Sequence, residues 1–149
     1  CDKLTGICID IFDTGSGKLF TNSPSVAYLD SIGGSPTNTV TTEDGSHGPA
    51  GDFYRLNKFN AVTLCATYNT HSIGGRTNWR LPTRDELKVD LGGMYYNMFA
   101  SRGWPANYYY WSSTAYGSTD FYMVYLLSAG FDQESNPYTT GYVSCVSNP

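Results

Sequence analysis

Few residues of this 149-residue chain have the types and spacing of a catalytic centre. The quartet Asp13-Thr14-Gly15-Ser16 matches the short motif of aspartic proteases, in which two carboxylates share one proton. That chemistry needs a second copy of the motif or a dimer, and the sequence holds one copy. Aspartate and glycine are also favoured in tight turns for backbone reasons. The quartet therefore predicts a hairpin turn.

Histidine offers no clearer catalytic pattern. A serine or cysteine nucleophile needs a base beside it, and the two histidines, His47 and His71, lie in segments rich in Gly, Ser and Thr. Zinc sites need closely spaced cysteines with histidines, whereas the cysteines of this chain are far apart. We therefore expect no catalysis, no metal and no cofactor.

The four cysteines, Cys1, Cys8, Cys65 and Cys145, allow three pairings into two disulfides. Proximity along the chain favours Cys1 with Cys8, which leaves Cys65 with Cys145. Closing the second, much longer loop would restrict the unfolded chain by about 4 kcal/mol. Disulfides in turn indicate an oxidising, extracellular compartment.

Composition narrows the class of partner. The net charge is −4 and the nine Lys and Arg residues are scattered, so nucleic acid is not an expected partner. No apolar stretch approaches the roughly 18 to 20 residues that span a bilayer, so we expect no membrane insertion by this segment. The length suits one domain over 1–149. Because the chain starts at Cys1 rather than at Met, we expect a mature or excised piece of a longer chain. We also expect this piece to be a monomeric domain at the end of that chain.

Two helices are predicted in the middle of the chain. Apolar residues recur at helical spacing from about Leu56 to Tyr68, at positions that include Phe59, Val62, Cys65 and Ala66. This pattern places Cys65 on a buried face. A second helix begins at Thr83, where Thr83 and Glu86 have the spacing of a capping box. Leu87 and Leu91 then face inward, and the helix ends at Gly92-Gly93.

The remaining segments read as strands and loops. Ile7 to Phe12 and Lys18 to Thr21 flank the Gly-rich turn, which predicts an N-terminal hairpin within 1–21. The segment 31–51 is nearly all Gly, Ser, Thr, Asn, Pro and acidic residues, which predicts a long exposed loop. Strands are predicted around 110–113, 121–127 and 140–146, after an irregular aromatic stretch over 94–110.

Three motifs carry a family resemblance. They are Trp79-Arg80-Leu81-Pro82-Thr83 followed by Glu86-Leu87, Tyr110-Trp111-Ser112-Ser113-Thr114, and Tyr142-Val143-Ser144-Cys145-Val146. In this order they resemble the C-terminal domain family named for a bacterial collagen-like adhesin. The sequence is more closely similar to the lectin-like tip domains of invasin/intimin-type inverse autotransporters, from about Phe53 to the end, with weaker support from Leu19 to Pro24.

The resemblance implies an α+β, C-type-lectin-like fold with two helices, twisted antiparallel sheets and long loops. It also implies that a cysteine of the first helix pairs with one in the last strand, which corresponds to Cys65 and Cys145. Display on the outer membrane surface of a Gram-negative bacterium, with a role in adhesion and virulence, is implied as well. The Glu-Pro-Asn, Gln-Pro-Asp and Trp-Asn-Asp motifs of calcium-dependent relatives are absent, and Asp120, Asp132 and Glu134 lack the spacing of a calcium site.

The motif residues have an expected architectural role, because a tryptophan before a capped helix is usually part of the core. The residues assigned to structure are Trp79, Arg80, Leu81, Pro82, Thr83, Glu86 and Trp111. Tyrosine and tryptophan are abundant just downstream, and they give rigid amphipathic contact area. Successive side chains of an extended segment point to opposite faces, so at least one of three consecutive tyrosines is exposed. The candidate ligand-binding residues are Tyr95, Tyr96, Asn97, Arg102, Trp104, Asn107, Tyr108, Tyr109 and Tyr110.

We therefore expect an adhesion domain that binds a host cell-surface or secreted protein, without catalysis and without calcium. One alternative is a calcium-independent carbohydrate-binding module that uses the same aromatic residues as stacking platforms. A second alternative is a ligand-free domain that caps a stalk. A solvated aromatic loop without function also stays open, because singly exposed aromatic residues are common.

Overall fold

Three small antiparallel sheets and three α-helices make up the part of the chain described by the computed structural model, residues 1–128 and 130–149. The strands are β1 (Ile11–Asp13), β2 (Leu19–Thr21), β3 (Thr39–Glu43), β4 (Gly51–Arg55), β5 (Tyr110–Tyr116), β6 (Asp120–Val124), β7 (Asp132–Ser135) and β8 (Val146–Ser147). The helices are α1 (Val26–Ser31), α2 (Lys58–Thr70) and α3 (Met98–Arg102), with a π-helical segment at Glu86–Gly93 and a 3-10 turn at Ile73–Gly75. The predicted α+β class is confirmed.

Strand pairing brings the two ends of the chain together. The sheets have the orders β1-β2-β8, β3-β4 and β5-β6-β7, and every pair is antiparallel. β1 and β2 form the hairpin predicted within 1–21, with Phe12 opposite Phe20. The Asp13 carboxylate accepts hydrogen bonds from the N–H groups of Gly15 (2.8 Å) and Gly17 (3.1 Å). The aspartic-protease quartet is thus a turn, as predicted.

The prediction of a loop throughout 31–51 is wrong for β3. Thr39–Glu43 pairs along its whole length with β4, so that Thr41 lies opposite Phe53. The segment is polar, but threonine and valine are β-branched residues that suit a pleated, half-buried surface. Every second side chain is at least partly covered, and the last of them, Glu43, is buried. Residues 44–50 form the turn between the two strands.

Helix α2 confirms the predicted helix but exposes a different face. Asn57 caps its start by accepting a hydrogen bond from the Asn60 N–H at 2.9 Å. The buried side is formed by Lys58, Ala61, Leu64, Cys65 and Tyr68. Phe59 and Val62, which the apolar spacing placed inside, are 54% and 51% exposed. Ala61, Leu64, Cys65 and Tyr68 form an equally regular stripe, and it is this stripe that faces the core.

The second predicted helix is present, with an altered hydrogen-bond pattern. Both halves of the capping box form: the Glu86 N–H donates to Thr83 Oγ1 (3.1 Å), and the Thr83 N–H donates to Glu86 Oε1 (2.9 Å). Leu87 and Leu91 are fully buried, as predicted. Helical residues continue to 95 rather than ending at Gly92-Gly93, and 86–93 is π-helical. A Cβ at Gly92 would lie 2.6 Å from the Cα of Gly130, so this turn approaches its neighbour more closely than any side chain would allow.

The predicted irregular stretch over 94–110 also contains regular structure, because α3 lies within it. Strand β6 ends at Val124 rather than at Leu127, since the chain turns there and the Tyr125 N–H bonds to the Phe131 carbonyl at 2.6 Å. β5 is longer than predicted and runs to Tyr116.

Both predicted disulfides are present, Cys1 with Cys8 and Cys65 with Cys145. The second joins α2 to the residue before β8, and both of its cysteines are buried. Trp79 and Trp111 are core residues, and their indole N–H groups donate to the carbonyls of Ile73 and Leu56, each at 2.9 Å. The C-terminal segment is therefore fixed to α2 by a covalent bond, while the predicted structural tryptophans pack beside it.

Candidate functional site

The Trp79 motif positions a helix, and its polar side chains bond to other residues of the fold. Trp79, Leu81 and Pro82 are buried, while the exposed Arg80 forms a two-pronged ion pair with Glu86 at 2.7 and 3.0 Å. The Arg80 N–H and carbonyl also bond to the backbone of Val146. These contacts connect the start of the second helix to β8, in agreement with the structural role expected for the motif.

Two predicted ligand-binding residues are core residues instead. Trp104 and Tyr110 are fully buried, so neither can touch a ligand. The Trp104 indole N–H donates to Asp10 Oδ2 at 2.9 Å, and the Tyr110 hydroxyl donates to the Pro105 carbonyl at 2.6 Å. Burial raises the pKa of Tyr110 well above its ordinary value. The aromatic density of this segment partly reflects a core built from aromatic side chains, whose polar ends find partners inside.

Four more candidates lie around Asp10 and α3. Arg102 is bound to Asp10 at 2.5 and 2.7 Å, and its guanidinium lies 4.2 Å above the Phe12 ring. Asn97 caps α3 by accepting a hydrogen bond from the Ala100 N–H at 3.0 Å. Tyr95 packs edge-on against Phe12, and Tyr96 is 62% exposed. Because Arg102 and Asn97 are engaged within the fold, Tyr96 is the most accessible of this group.

The last three candidates come together with residues from distant parts of the chain. Tyr109 is stacked on Tyr125 with ring centroids 4.8 Å apart, and Arg55 lies 4.2 Å above the Tyr108 ring. Asn107 is exposed, while the other four side chains are partly exposed. We call Arg55, Asn107, Tyr108, Tyr109 and Tyr125 the Tyr109 surface. It consists of two contacts made by successive residues, Tyr108 with Arg55 and Tyr109 with Tyr125, and of the exposed Asn107 that precedes them.

A buried carboxylate holds this surface to the β3-β4 hairpin. Glu43 is 2% exposed and accepts hydrogen bonds from the Tyr142 hydroxyl (2.6 Å) and the Asn107 N–H (3.4 Å). Burial, together with this bond to Glu43, raises the pKa of Tyr142. The carbonyl of His47, in the turn after β3, accepts a hydrogen bond from the Ala106 N–H at 2.8 Å. Part of the predicted 31–51 loop therefore lies beside the aromatic segment.

A groove along the solvent-facing side of α2 was not predicted from the sequence. It has a volume of 570 Å³ and lies between the exposed face of α2 and the Trp79 motif. Its lining residues are Lys58, Val62, Cys65, Ala66, Asn69, Trp79, Arg80, Leu81, Thr83 and Ser113. The sequence signal that could have revealed it was the second apolar stripe of α2, which contains Val62 and Ala66.

The sequence profile of the Lcl C-terminal domain family matches residues 20–147 of the chain. The chain belongs to the Lcl C-terminal domain family. The match begins in β2 and ends in β8, which are neighbouring strands of one sheet, and it includes both the Tyr109 surface and the groove. The Lcl C-terminal domain is an extracellular, surface-associated domain. No curated protein matches the chain significantly.

In this Lcl C-terminal domain the residues considered for catalysis and metal binding lie apart or are already bonded. His47 and His71 are exposed, and all four cysteines are in disulfides. Asp132 pairs with Arg84 and Lys88, and despite partial burial, which acts in the opposite direction, these cations hold its pKa below the ordinary value. Over 1–128 and 130–149, no group of three or more His, Cys, Asp and Glu residues is arranged to hold a metal ion. No helix in those ranges is long and apolar enough to cross a membrane.

Proposed function

We propose that this domain recognises a host cell-surface or secreted protein, as the adhesive part of a bacterial surface protein, and that it does so without catalysis and without calcium. The observation that carries the proposal is the Tyr109 surface. Family membership supports it, because the domain is surface-associated and a partner would reach it from outside the cell.

The Tyr109 surface has the composition of a protein-binding hot spot. Tyrosine and arginine are enriched among the residues that dominate protein interfaces, because they give large contact areas with a polar end. Tyr109 is held by Tyr125, and Tyr108 contacts both Arg55 and, edge-on, Tyr142. Side chains that are already ordered lose little conformational entropy on binding. The exposed Asn107 side chain is free to add a directional hydrogen bond.

The arrangement of the chain ends fits a domain carried at the tip of a longer protein. β2 and β8 are adjacent, so the two ends of the matched region lie together in one sheet. The remainder of the surface stays accessible to a partner. We extend the proposal to a C-type-lectin-like fold of the invasin/intimin tip type, displayed as a monomer on the outer membrane of a Gram-negative bacterium.

Replacing Tyr109 with serine is expected to weaken binding of the oxidised domain to host cells by more than about fivefold, since truncating a hot-spot side chain costs over 1 kcal/mol. Tyr116→Ser is the matched control. Tyr116 is 48% exposed and packs against Tyr122, but it lies at the other end of β5, about 20 Å from Tyr110. Binding is measured by titration of labelled domain on cells, with thermal melts to show that both variants fold.

Equal binding by wild type and Tyr109→Ser, with both folded, would contradict the use of this surface. A glycan array separates the partner classes. If the wild-type domain gives signals on the array and Tyr109→Ser does not, the partner is a carbohydrate rather than a protein. Silence on the array, combined with loss of cell binding in Tyr109→Ser but not in Tyr116→Ser, supports a protein partner.

A further inference from the structure

The groove beside α2 has the size and walls of a small-molecule site. Its volume of 570 Å³ lies within the roughly 300 to 1,000 Å³ that such sites occupy. Val62 and Ala66 form one wall, and Trp79 and Leu81 form the opposite wall. The stretch of α2 from Lys58 to Asn69 that lines it is about 16 Å long at 1.5 Å per residue. An elongated apolar molecule therefore fits along the helix.

One end of the groove carries a buried cation. Lys58 lines the groove and is 8% exposed, and its ammonium group lies 3.5 Å from the centre of the Phe121 ring. Within the part of the chain that the structure describes, its ammonium group has neither an ion-pair partner nor a hydrogen-bond acceptor. This sets it apart from Lys18 and Lys88, which pair with carboxylates.

The groove offers one cation to an anion, in a protein of negative net charge. Its charged lining residues are Lys58 and Arg80, but Arg80 is already ion-paired with Glu86, so Lys58 is the cation that an anion would meet. The whole chain has a net charge of −4. In addition, Lys58 is the first residue of α2, where the helix dipole has its positive end. The local field therefore favours an anion at this end of the groove.

No carboxylate of the described residues pairs with the ammonium group of Lys58, a residue that is 8% exposed. Burying an ammonium group is costly unless it is paired, and an aromatic face compensates only part of that cost. Burial accordingly lowers the pKa of Lys58. A carboxylate that entered the groove would pair with the ammonium, and an apolar tail would cover Val62, which is 51% exposed.

We propose that this groove binds a small amphipathic carboxylate, with its carboxylate on Lys58 and its apolar chain along α2 between Ala66 and Trp79. The site is separate from the Tyr109 surface, so it does not depend on the proposed adhesion. The apolar walls select the chain and the single buried ammonium selects the head group. A groove of this volume suits a small molecule better than a folded partner.

The test uses octanoate as the probe and octanol as its uncharged analogue, in a two-dimensional amide NMR titration of the oxidised domain. Octanoate is expected to shift the amides of Lys58, Val62, Ala66 and Ser113 saturably, and to bind about tenfold more tightly than octanol. Lys58→Met keeps an apolar side chain over Phe121 and is expected to remove that tenfold difference. Lys3→Met, a change at an exposed lysine outside the groove, should leave it intact.

A second variant fills the groove without touching the core. Ala66 is exposed, so Ala66→Trp is expected to fold normally and to weaken octanoate and octanol alike by more than about tenfold. Equal octanoate affinity in the wild type and Lys58→Met would overturn the assignment of the carboxylate to Lys58. Octanoate shifts that do not saturate, or that persist in Ala66→Trp, would overturn the site. The proposed site would also be overturned if an acidic peptide shifted these amides and octanoate did not.

Discussion

Replacing Cys65 and Cys145 together with alanine is expected to lower the free energy of unfolding by about 4 kcal/mol. The bond joins residues 80 positions apart, and closing a loop of that length restricts the unfolded chain strongly. It also connects α2 to the C-terminal segment, where the Cys145 N–H donates to Thr21 Oγ1 and the Cys145 carbonyl accepts from the Thr21 N–H, both at 3.0 Å. Losing it therefore weakens the contact between α2 and the sheet that closes the chain.

Urea denaturation followed by tryptophan fluorescence measures this loss, because Trp79, Trp104 and Trp111 are all buried. The matched control is the double alanine variant at Cys1 and Cys8. Those residues are seven positions apart, so the same loop-closure argument gives about 2.5 kcal/mol or less. A Cys65/Cys145 variant that is no less stable than the Cys1/Cys8 variant would show that the long loop is held mainly by packing.

The parts of the fold that followed from the sequence are those specified by local chemistry. The capping box at Thr83 and Glu86 depends on two side chains three residues apart, and both of its hydrogen bonds form. The turn at Asp13 depends equally on near neighbours. By contrast, β3 was missed because its polar residues become a strand only by pairing with β4. The close approach of Gly92 to Gly130, which are 38 positions apart, likewise follows from no local pattern.

The candidate site likewise has a part that the sequence predicted and a part that it did not. The sequence located the tyrosine-rich segment but could not tell which rings are buried, because Trp104 and Tyr110 are satisfied by Asp10 and by the Pro105 carbonyl. The partners of Tyr108 and Tyr109 come from β4 and from the end of β6, which no local pattern connects to 108–109. No sequence pattern marked Lys58 as a binding residue, since a lysine at the start of a helix is ordinarily solvated.

A contact can therefore be predicted from the sequence when both partners lie in the same turn or helix cap. A contact between two distant segments cannot be predicted in this way. The contacts of the Tyr109 surface and of the groove join distant segments. The structure that supports both sites is more predictable, because its helix cap depends on near neighbours, Thr83 and Glu86. Arg80, just before this helix, pairs with Glu86 and bonds to the backbone of β8. The strength of that scaffold can be tested at Glu86.

Replacing Glu86 with glutamine is expected to cost up to about 3 kcal/mol of stability at neutral pH. Burial by itself raises the pKa of this carboxyl, but hydrogen bonds from Arg80, the Thr83 N–H and Lys18 outweigh it and lower the pKa from 4.5 to about 2. Its side chain is 12% exposed and lies 2.7 Å from Arg80 and 2.9 Å from Lys18. One carboxylate thus connects the second helix, the Trp79 motif and the N-terminal hairpin.

The sign of the pH dependence follows from the lowered pKa. A carboxyl that is more acidic in the folded state stabilises the fold above its unfolded pKa of 4.5, and this stabilisation is lost as pH falls towards 2. Wild-type stability, measured by urea denaturation at several pH values, is therefore expected to fall more steeply than that of Glu86→Gln between pH 4.5 and 2. The two variants should converge at the acidic end of that window.

Asp85 provides the control for this prediction. It precedes Glu86, is exposed, and forms no ion pair with the described residues. Asp85→Asn is expected to change stability by less than about 1 kcal/mol, which is the typical effect of one charge near a helix start. If Glu86→Gln and Asp85→Asn have equal effects, or if the Glu86→Gln difference persists unchanged down to pH 2, the ion pairs with Arg80 and Lys18 do not stabilise the scaffold. The buried packing of Leu87 and Leu91 would then account for the position of this helix.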